Sequence, residues 1–490
     1  MRLLSALLAI TARAALNVVT GEGQVPLTPN TDHCDTPLNV AIIGAGAAGS
    51  SSAYHLAHFA REAGLPINIT LFDRNPYIGG RSTTVNVHDD PAEPVELGAS
   101  IFVQANQILI NATRDFNLST TDNDDDEESS IPGPALAIWD GRSLLYQQTT
   151  GKSWWETAKL IWKYGLLSPL RTLNLKKSTI ASFLTLYDSP IFPFDSLTHA
   201  AEQVGLRAVT NVSGETYLRT HGIRGGLWPR GGTVRDAGEL RAESPLDPRV
   251  GGDAAPYQSL NLTLTPSSQL THTPSPIPYV SLHVTLFTTS HLLSPTFFNL
   301  SPDTPAPKTI LTTLPPDEAP GQGSASAGSV GFFSISLIRS LRNLRTGERE
   351  YLYKIFSPER VRPGFLARIL GVRQNPSGGE GEEEGEGAGF DRDEKENDDD
   401  DSDRNPEQIT WLYQKRWDSY PYETPRDAFE AIRLSRGSAG EGGQPGGGGI
   451  WYTGGMESFI STMETNALMG MNVARLVVDE WVAGLGRDGG

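Results

Sequence analysis

Gly44, Gly46 and Gly49 stand in the spacing G-x-G-x-x-G within "GAGAAG", directly after the apolar run "LNVAII". Three glycines so placed between a strand and a helix suit a pyrophosphate. The first permits a tight turn and the second leaves room for the anion. The third lets helix and strand pack closely, and the helix, opening at Ala47 and Ala48, points its N-terminus at the anion. The following strand, "INITLF", ends on Asp73, an acid placed to accept hydrogen bonds from an adenosine ribose. A glycine turn in some other α/β fold is the bland alternative. A second patch, Gly79-Gly80-Arg81-Ser82, begins six residues after Asp73, and a nicotinamide site does not require it.

Other chemistry is scarce. His55 and His58 share a helix face but have no further ligands nearby, so they read as ordinary residues and not as a metal pair. Cys34 stands alone, which excludes an intrachain disulfide, disulfide redox chemistry and a Cys-ligated metal. Any redox work needs a bound cofactor. The net charge is −18 over 490 residues. Residues 122–128 contribute −6 and residues 380–403 contribute −12, so the rest of the chain is close to neutral. The acidity belongs to low-complexity loops, and nucleic acid is not expected as a partner.

The elements that must position the glycines follow from periodicity. Residues 38–73 read strand, glycine turn, helix and strand, the helix ending near Gly64. Residues 151–221 read mostly as helices, including "KKSTIASFLTLY" and "SLTHAAEQVGL" with Ser196 as N-cap. Strands return with "YVSLHVTLF", where Val280, Leu282, Val284 and Leu286 share one face, then "GFFSISLI", "EYLYKIF" and "QITWLY". A last helix is expected over 456–481, with Ile460, Met463, Ala467, Met471, Ala474, Val478 and Trp481 on its apolar face. "SWWETAKLIWKYGLL" clusters Trp154, Trp155, Leu160, Ile161, Trp162 and Tyr164. It reads first as core, then as a hydrophobic tunnel wall, and last as a membrane-surface helix. The opening residues resemble a secretory signal peptide, 1–14, and no stretch is long and apolar enough for a membrane helix. Sequons at Asn111, Asn117, Asn211, Asn261 and Asn299 fit that route, as does one at Asn68 in an expected buried strand.

The second glycine patch, "VELGASIF" and "WYTGGMESFISTMETNALMG" resemble the FAD-dependent amine-oxidase and glutathione-reductase superfamily. The resemblance implies FAD, bound non-covalently. Gly79 and Gly80 would pass close to it, Arg81 and Ser82 would lie by its pyrophosphate, and Gly98, Ala99 and Ser100 would run past its ring. Gly454, Gly455 and Met456 would close over it. "ELGASIFVQANQILINATRDFNLS", "PAPKTILTTLPPDE", "REYLYKIFSPE" and "WDSYPYETP" are similar to the prenylcysteine oxidase (prenylcysteine lyase) family in its fungal form. That family cleaves the thioether of farnesyl- or geranylgeranyl-cysteine with O2, releasing cysteine, an isoprenoid aldehyde and H2O2 during breakdown of prenylated proteins. Hydride leaves the allylic carbon beside sulfur for the flavin, water adds and the hemithioacetal collapses. No strong protein base is required, and no catalytic side chain is assigned. An amine or polyamine oxidase and an inactive secreted relative are the alternatives.

The expected fold is α/β: a Rossmann-type FAD-binding domain built from both chain ends, plus a substrate domain of helices and an antiparallel sheet. Its parts are an N-terminal FAD segment over 38–120 and a helical part over 130–221. Substrate-domain strands over 253–435 surround a disordered loop at 374–407, and a C-terminal motif and helix occupy 450–484. Vacuole, lysosome or the cell exterior is the expected destination. Residues 222–252 depart from the family. They are rich in Gly, Arg and Pro, and no apolar strand precedes "DAAPYQ" at 253–258. A surface insertion would give this, and so would a shifted reading frame, which we favour.

Overall fold

The computed structural model describes residues 37–98, 102–118, 131–148, 167–223, 270–315, 317–318, 323–372, 406–422, 424–436 and 448–488. The expected signal peptide, the Trp-rich run up to Leu166 and nearly all of 222–252 lie outside them.

The N-terminal unit begins as the glycine spacing requires. Strand β1 (Leu38–Ile43) enters the Gly44 turn, helix α1 (Ala47–Glu62) follows, and β2 (Ile67–Phe72) lies parallel to β1 with Ile43 opposite Phe72. Gly44 has φ +98 and Gly64, past the helix end, φ +68, both in the left-handed region that glycine adopts without strain. A Cβ on Gly49 would meet the Gly44 carbonyl oxygen at 1.8 Å, so the third glycine is needed for close packing of helix on strand. The hairpin of β3 (Thr84–Asn86) and β4 (Pro94–Glu96) and helix α2 (Gln107–Asp115) complete this part.

A seven-stranded sheet forms the second layer. It holds β5 (Leu136–Trp139), β6 (Leu144–Gln147), β7 (Tyr279–Thr289), β8 (Thr309–Thr312), β9 (Ser334–Arg342), β10 (Arg349–Ser357) and β11 (Ile409–Pro421) in the order β11-β7-β10-β9-β8-β5-β6. All neighbours are antiparallel except β5 and β8. Strands β5 and β6 were grouped by sequence with the helical region, and they form the sheet's far edge instead, their short runs carrying too little period to be read. The four alternating residues of β7 all turn to one buried face. There Leu282, Val284 and Leu286 meet Val87, Val95 and Leu97 of the β3–β4 hairpin. The other face packs Trp139, Phe287, Phe332 and Tyr353 against Phe365 of helix α7 (Pro363–Leu370).

Helices α3 (Leu167–Leu184), α4 (Leu197–Gln203), α5 (Arg207–Thr210) and α6 (Gly214–Thr220) follow β6 in the chain, and Leu186, Leu197, Ala200 and Ala201 pack with Leu468, Met469 and Val473 of the C-terminal region. Ser196 caps α4, its side chain accepting from the His199 amide. At the other end, β12 (Arg433–Arg436) pairs with β13 (Gly449–Trp451), and helix α8 (Met463–Asp488) ends the described chain. This helix starts later than periodicity suggested. A 3-10 turn, Gly454–Ser458, comes first, because Gly454-Gly455 interrupts the helical run, and Ile460 precedes the helix. Ala467, Ala474, Val478 and Trp481 are buried as expected.

Helix α8 lies on α1 and joins the chain ends. Leu56 and Ala60 meet Ala474 and Val478, Ser51 Oγ donates to the Ala467 carbonyl at 2.6 Å, and Ser52 Oγ to that of Gly470 at 3.3 Å. The opposite face of β1 and β2 is bare among the described residues: Ile43 is 49% and Phe72 54% exposed. Asn68, expected in a buried strand, is therefore exposed, and its amide donates to Asn39 Oδ1 across the pair. β1 pairs with β2 alone among the described residues.

The α1–α8 contact predicts a stability effect. A Cβ at Gly470 would stand 2.3 Å from the Ala48 carbonyl oxygen and 2.9 Å from the Ser52 nitrogen. Backbone cannot yield as a side-chain tip does. Gly470→Val should cost about 3 kcal/mol, read by urea denaturation, as overpacking of close-packed helices does. An unchanged midpoint would show that the helices are not in contact.

Candidate functional site

The two glycine patches meet. The Gly79 amide donates to the Ala45 carbonyl at 3.0 Å, and a Cβ on Gly80 would reach the Gly46 Cα at 3.5 Å. Gly79 and Gly80 have φ +122 and +58, the left-handed backbone that lets the chain double back here. Nothing lies within 4 Å of the Cβ positions of Gly44 and Gly46. The space a pyrophosphate would take is thus open at the start of α1, whose first turn carries no acid. Ala48 sits in that turn, its carbonyl turned to α8.

Asp73 binds the loop itself. Oδ2 accepts from the Ala45 amide at 2.7 Å and Oδ1 from the Asn75 amide at 2.7 Å. The acid expected to meet a ribose fixes the glycine turn from the end of β2.

Arg81 is held by protein groups. Its Nη1 donates to the Ser419 carbonyl at 2.7 Å and its Nη2 to Glu457 Oε1 at 2.5 Å, and the guanidinium lies 5.4 Å from the Tyr279 ring centre. Glu457 is buried and also accepts from Asn466 Nδ2 at 2.8 Å and Ser461 Oγ at 2.7 Å. Burial alone would lower the Arg81 pKa, and the Glu457 charge and hydrogen bond outweigh it and raise it. Burial and then the Glu457 charge push the Tyr279 hydroxyl up, so it stays protonated. Ser82 is buried, its Oγ against Met463 Sδ at 3.3 Å.

The flavin-facing segment of the resemblance is reached through β4. Glu96 Oε1 accepts from the Thr83 amide at 3.0 Å and the Gly98 amide at 3.2 Å, which sets the turn at Gly98. A Cβ there would meet the Trp417 ring at 2.9 Å. Ala99 and Ser100 lie outside the described residues. At the C-terminal motif, Gly455 is buried beside Glu430, and a Cβ on Gly454 would strike the Tyr452 ring at 2.7 Å. Met456 is fully buried against Leu468 and Met469, so its side chain serves the core while its backbone shapes the turn. Sequence reasoning missed Glu457, although "GGMES" sets it directly after the motif. It also missed Ser419, Tyr279 and Trp417, which no local pattern marks.

Lys354 is a further residue that sequence did not signal. It is buried on β10, and its Nζ donates to the Glu96 carbonyl at 3.1 Å beneath the Gly98 turn. No group of metal-ligating side chains occurs among the described residues. Among the sequons, Asn111, Asn117, Asn211 and Asn299 are exposed, and Asn299 Nδ2 donates to the Arg142 carbonyl at 2.8 Å. Asn261 lies outside the described residues. Of the described residues, no helix is long and apolar enough to cross a membrane.

A G-x-G-x-x-G turn backed by a second glycine patch, between a parallel strand pair and a helix, defines a dinucleotide-binding protein of the Rossmann-like class. The NAD(P)-binding Rossmann-like domain family matches residues 42–113, and the prenylcysteine lyase family matches residues 147–227 and 254–487. The chain belongs to the prenylcysteine lyase family. It is 32% identical over 194 residues to the farnesylcysteine lyase of Arabidopsis thaliana, covering 36% of this chain and 37% of that protein. It is 28% identical over 188 residues to prenylcysteine oxidase 1 of Homo sapiens, covering 38% and 34%. Over 118 residues it is 33% identical to aplysianin-A of Aplysia kurodai, covering 24% and 20%. The chain thus spans between a fifth and little more than a third of the length of the curated relatives it matches. The family match breaks off between 227 and 254, where the sequence loses the family pattern.

The buried lysine predicts a pH effect. Burial pushes Lys354 down from 10.5 to about 8. Between these values the unfolded chain binds more protons than the folded one, so stability rises with pH across that window. The cost of burying the charge is fully present below it. Lys354→Met should gain on the parent at pH 7 and lose that advantage as pH rises from about 8 to 10.5, measured by denaturant titration at several pH values. A pH-independent difference would contradict the shift.

Proposed function

We propose that this protein is an FAD-dependent thioether oxidase that cleaves prenylcysteine with O2 and water to cysteine, an isoprenoid aldehyde and H2O2. The observation that carries the reading is the meeting of the two glycine patches over an open cradle at Gly44 and Gly46, in a chain of the prenylcysteine lyase family. The names of the Arabidopsis and human relatives support the substrate class. Bound FAD would supply a hydride acceptor that passes both electrons to O2. Gly44, Gly46, Gly49 and the start of α1 would hold the pyrophosphate. Gly79 and Gly80 would let the backbone approach, with Arg81 and Ser82 at their side. The Glu96-held turn at Gly98 and the Gly454–Met456 turn would flank the ring and limit access of water. The substrate is an apolar thioether, and no nucleic acid takes part. The protein works in the secretory pathway, in vacuole, lysosome or cell exterior, where the exposed sequons would carry glycans.

A second reading, an inactive relative, is favoured by the bare face of β1 and β2 and the break in the family match. Central strands of such sheets are covered on both faces. The same two facts support a lesion in the reading frame near 222–252. The native transcript should then encode helices and an apolar strand between about Thr220 and Ala255, the run that such a sheet lacks. Sequencing the cDNA checks it, and a transcript that encodes 222–252 as written would reject the lesion.

The activity is tested by peroxide release. Farnesylcysteine should give H2O2 and free cysteine, whereas spermine and aromatic amines should give none; the reverse pattern would make the protein an amine oxidase. FAD should be non-covalent, because Cys34 precedes the first strand, and acid precipitation should leave yellow FAD in the supernatant. Gly46→Val should bind no flavin, because its side chain fills the pyrophosphate space. A yellow Gly46→Val protein would refute the cofactor assignment.

A further inference from the structure

Helix α3 stands apart from the rest of the surface. Its Phe183 reaches the core formed by Leu197, Met456 and Leu468, and Leu186 just beyond its end is fully buried. Toward its start it is open. Leu170 and Leu173 are 52% and 53% exposed, and Asn174, Lys176, Lys177 and Ser178 are exposed as well. At 100° per residue, Leu170, Leu173, Asn174, Lys177 and Ala181 share one stripe, flanked by Arg171 on one side and Lys176 on the other. All five stripe residues are exposed. The helix carries three bases and no acid. Arg171 is anchored through Nη1 to the Gly222 carbonyl at 2.9 Å, which ties the open half to the body.

A solvent-facing helix seldom needs two leucines one turn apart on its outermost stripe. Core packing does not explain them, because neither belongs to a hydrophobic cluster among the described residues. The adjoining sequence shares this chemistry. Residues 152–184 hold six bases against Glu156 alone, in a chain whose net charge is −18. Outside its two acidic loops the chain is close to neutral, so a helix with three bases and no acid gives it one face that an anionic surface attracts, which also sets its orientation.

The geometry points to an anionic lipid bilayer as the partner of α3, with Leu170 and Leu173 dipping among the acyl chains and Lys176 and Lys177 meeting the headgroups. Exposed leucines between cations are the pattern of helices that lie in a membrane interface. Each cation near an anionic leaflet raises partitioning about fivefold. This goes beyond the oxidase reading and does not depend on it. If both hold, docking would bring the enzyme to a surface where isoprenoid-bearing molecules collect.

The test is cosedimentation of the full chain with phosphatidylcholine vesicles, with and without phosphatidylserine. Binding is expected to the anionic vesicles only, weakening as salt is raised. Leu170→Glu/Leu173→Glu and, separately, Lys176→Glu/Lys177→Glu should each lower it by about tenfold or more while far-UV circular dichroism stays that of the parent. Absence of binding by the parent would overturn the proposal, as would unaltered binding by both variants. So would a parent dimer that Leu170→Glu/Leu173→Glu turns into a monomer without any vesicle binding, which would make a second copy the partner. Flavin content and peroxide release are not read, so failure here leaves the oxidase proposal standing, and the reverse.

Discussion

The carboxylate of Glu457 is the knot of this structure. It sits buried in the turn after Gly454-Gly455 and gathers Arg81 from the second glycine patch, Asn466 from the last helix and Ser461 from the link between them. Arg81 carries the connection on to the Ser419 carbonyl of β11 and over the ring of Tyr279 on β7. One charge thus joins both ends of the chain and the large sheet. A buried carboxylate is tolerated only when its oxygens are satisfied, and the loss of any donor leaves charge without compensation. The position of Arg81 relative to the glycine cradle follows from this pairing.

A second set of polar contacts fixes the β3–β4 hairpin on the sheet. Arg339 on β9 reaches Glu93 at 2.8 Å and the Pro94 carbonyl at 3.2 Å, and Lys354 on β10 reaches the Glu96 carbonyl. His88, held at φ +52, meets Glu350 at 2.9 Å, and Asn343 shares that carboxylate. A left-handed histidine persists only where its surroundings determine it. The hairpin leads straight into the Gly98 turn, so the sheet sets where that turn stands against Trp417. Together the two networks fix the second glycine patch, the Gly98 turn and the C-terminal motif relative to one another.

Much of this was legible in the chain. The glycine spacing announced β1, the Gly44 turn and α1 because a tight turn leaves a local mark. Alternation gave the buried face of β7, and Ser196 announced α4 by its capping hydroxyl. What was not legible is long-range. Arg81 and Glu457 are 376 residues apart, and no periodicity links them. Nothing in the sequence around Gly470 marks its contact with α1, where a Cβ would stand 2.3 Å from the Ala48 carbonyl oxygen. Asn68 reads as buried because its strand is apolar on alternate positions. Whether the other face is covered depends on elements far along the chain. Asp73 takes its ribose role from type and position and Arg81 its pyrophosphate role from the resemblance alone, and in the structure each binds protein groups.

The proposed reaction requires a flavin that is reduced by prenylcysteine. The direct measurement is the visible absorbance of the purified protein, mixed without oxygen with farnesylcysteine. The account predicts a flavin spectrum that bleaches as cysteine is released and returns when air is admitted. A protein without flavin absorbance, or one whose flavin stays oxidised with farnesylcysteine, would contradict it.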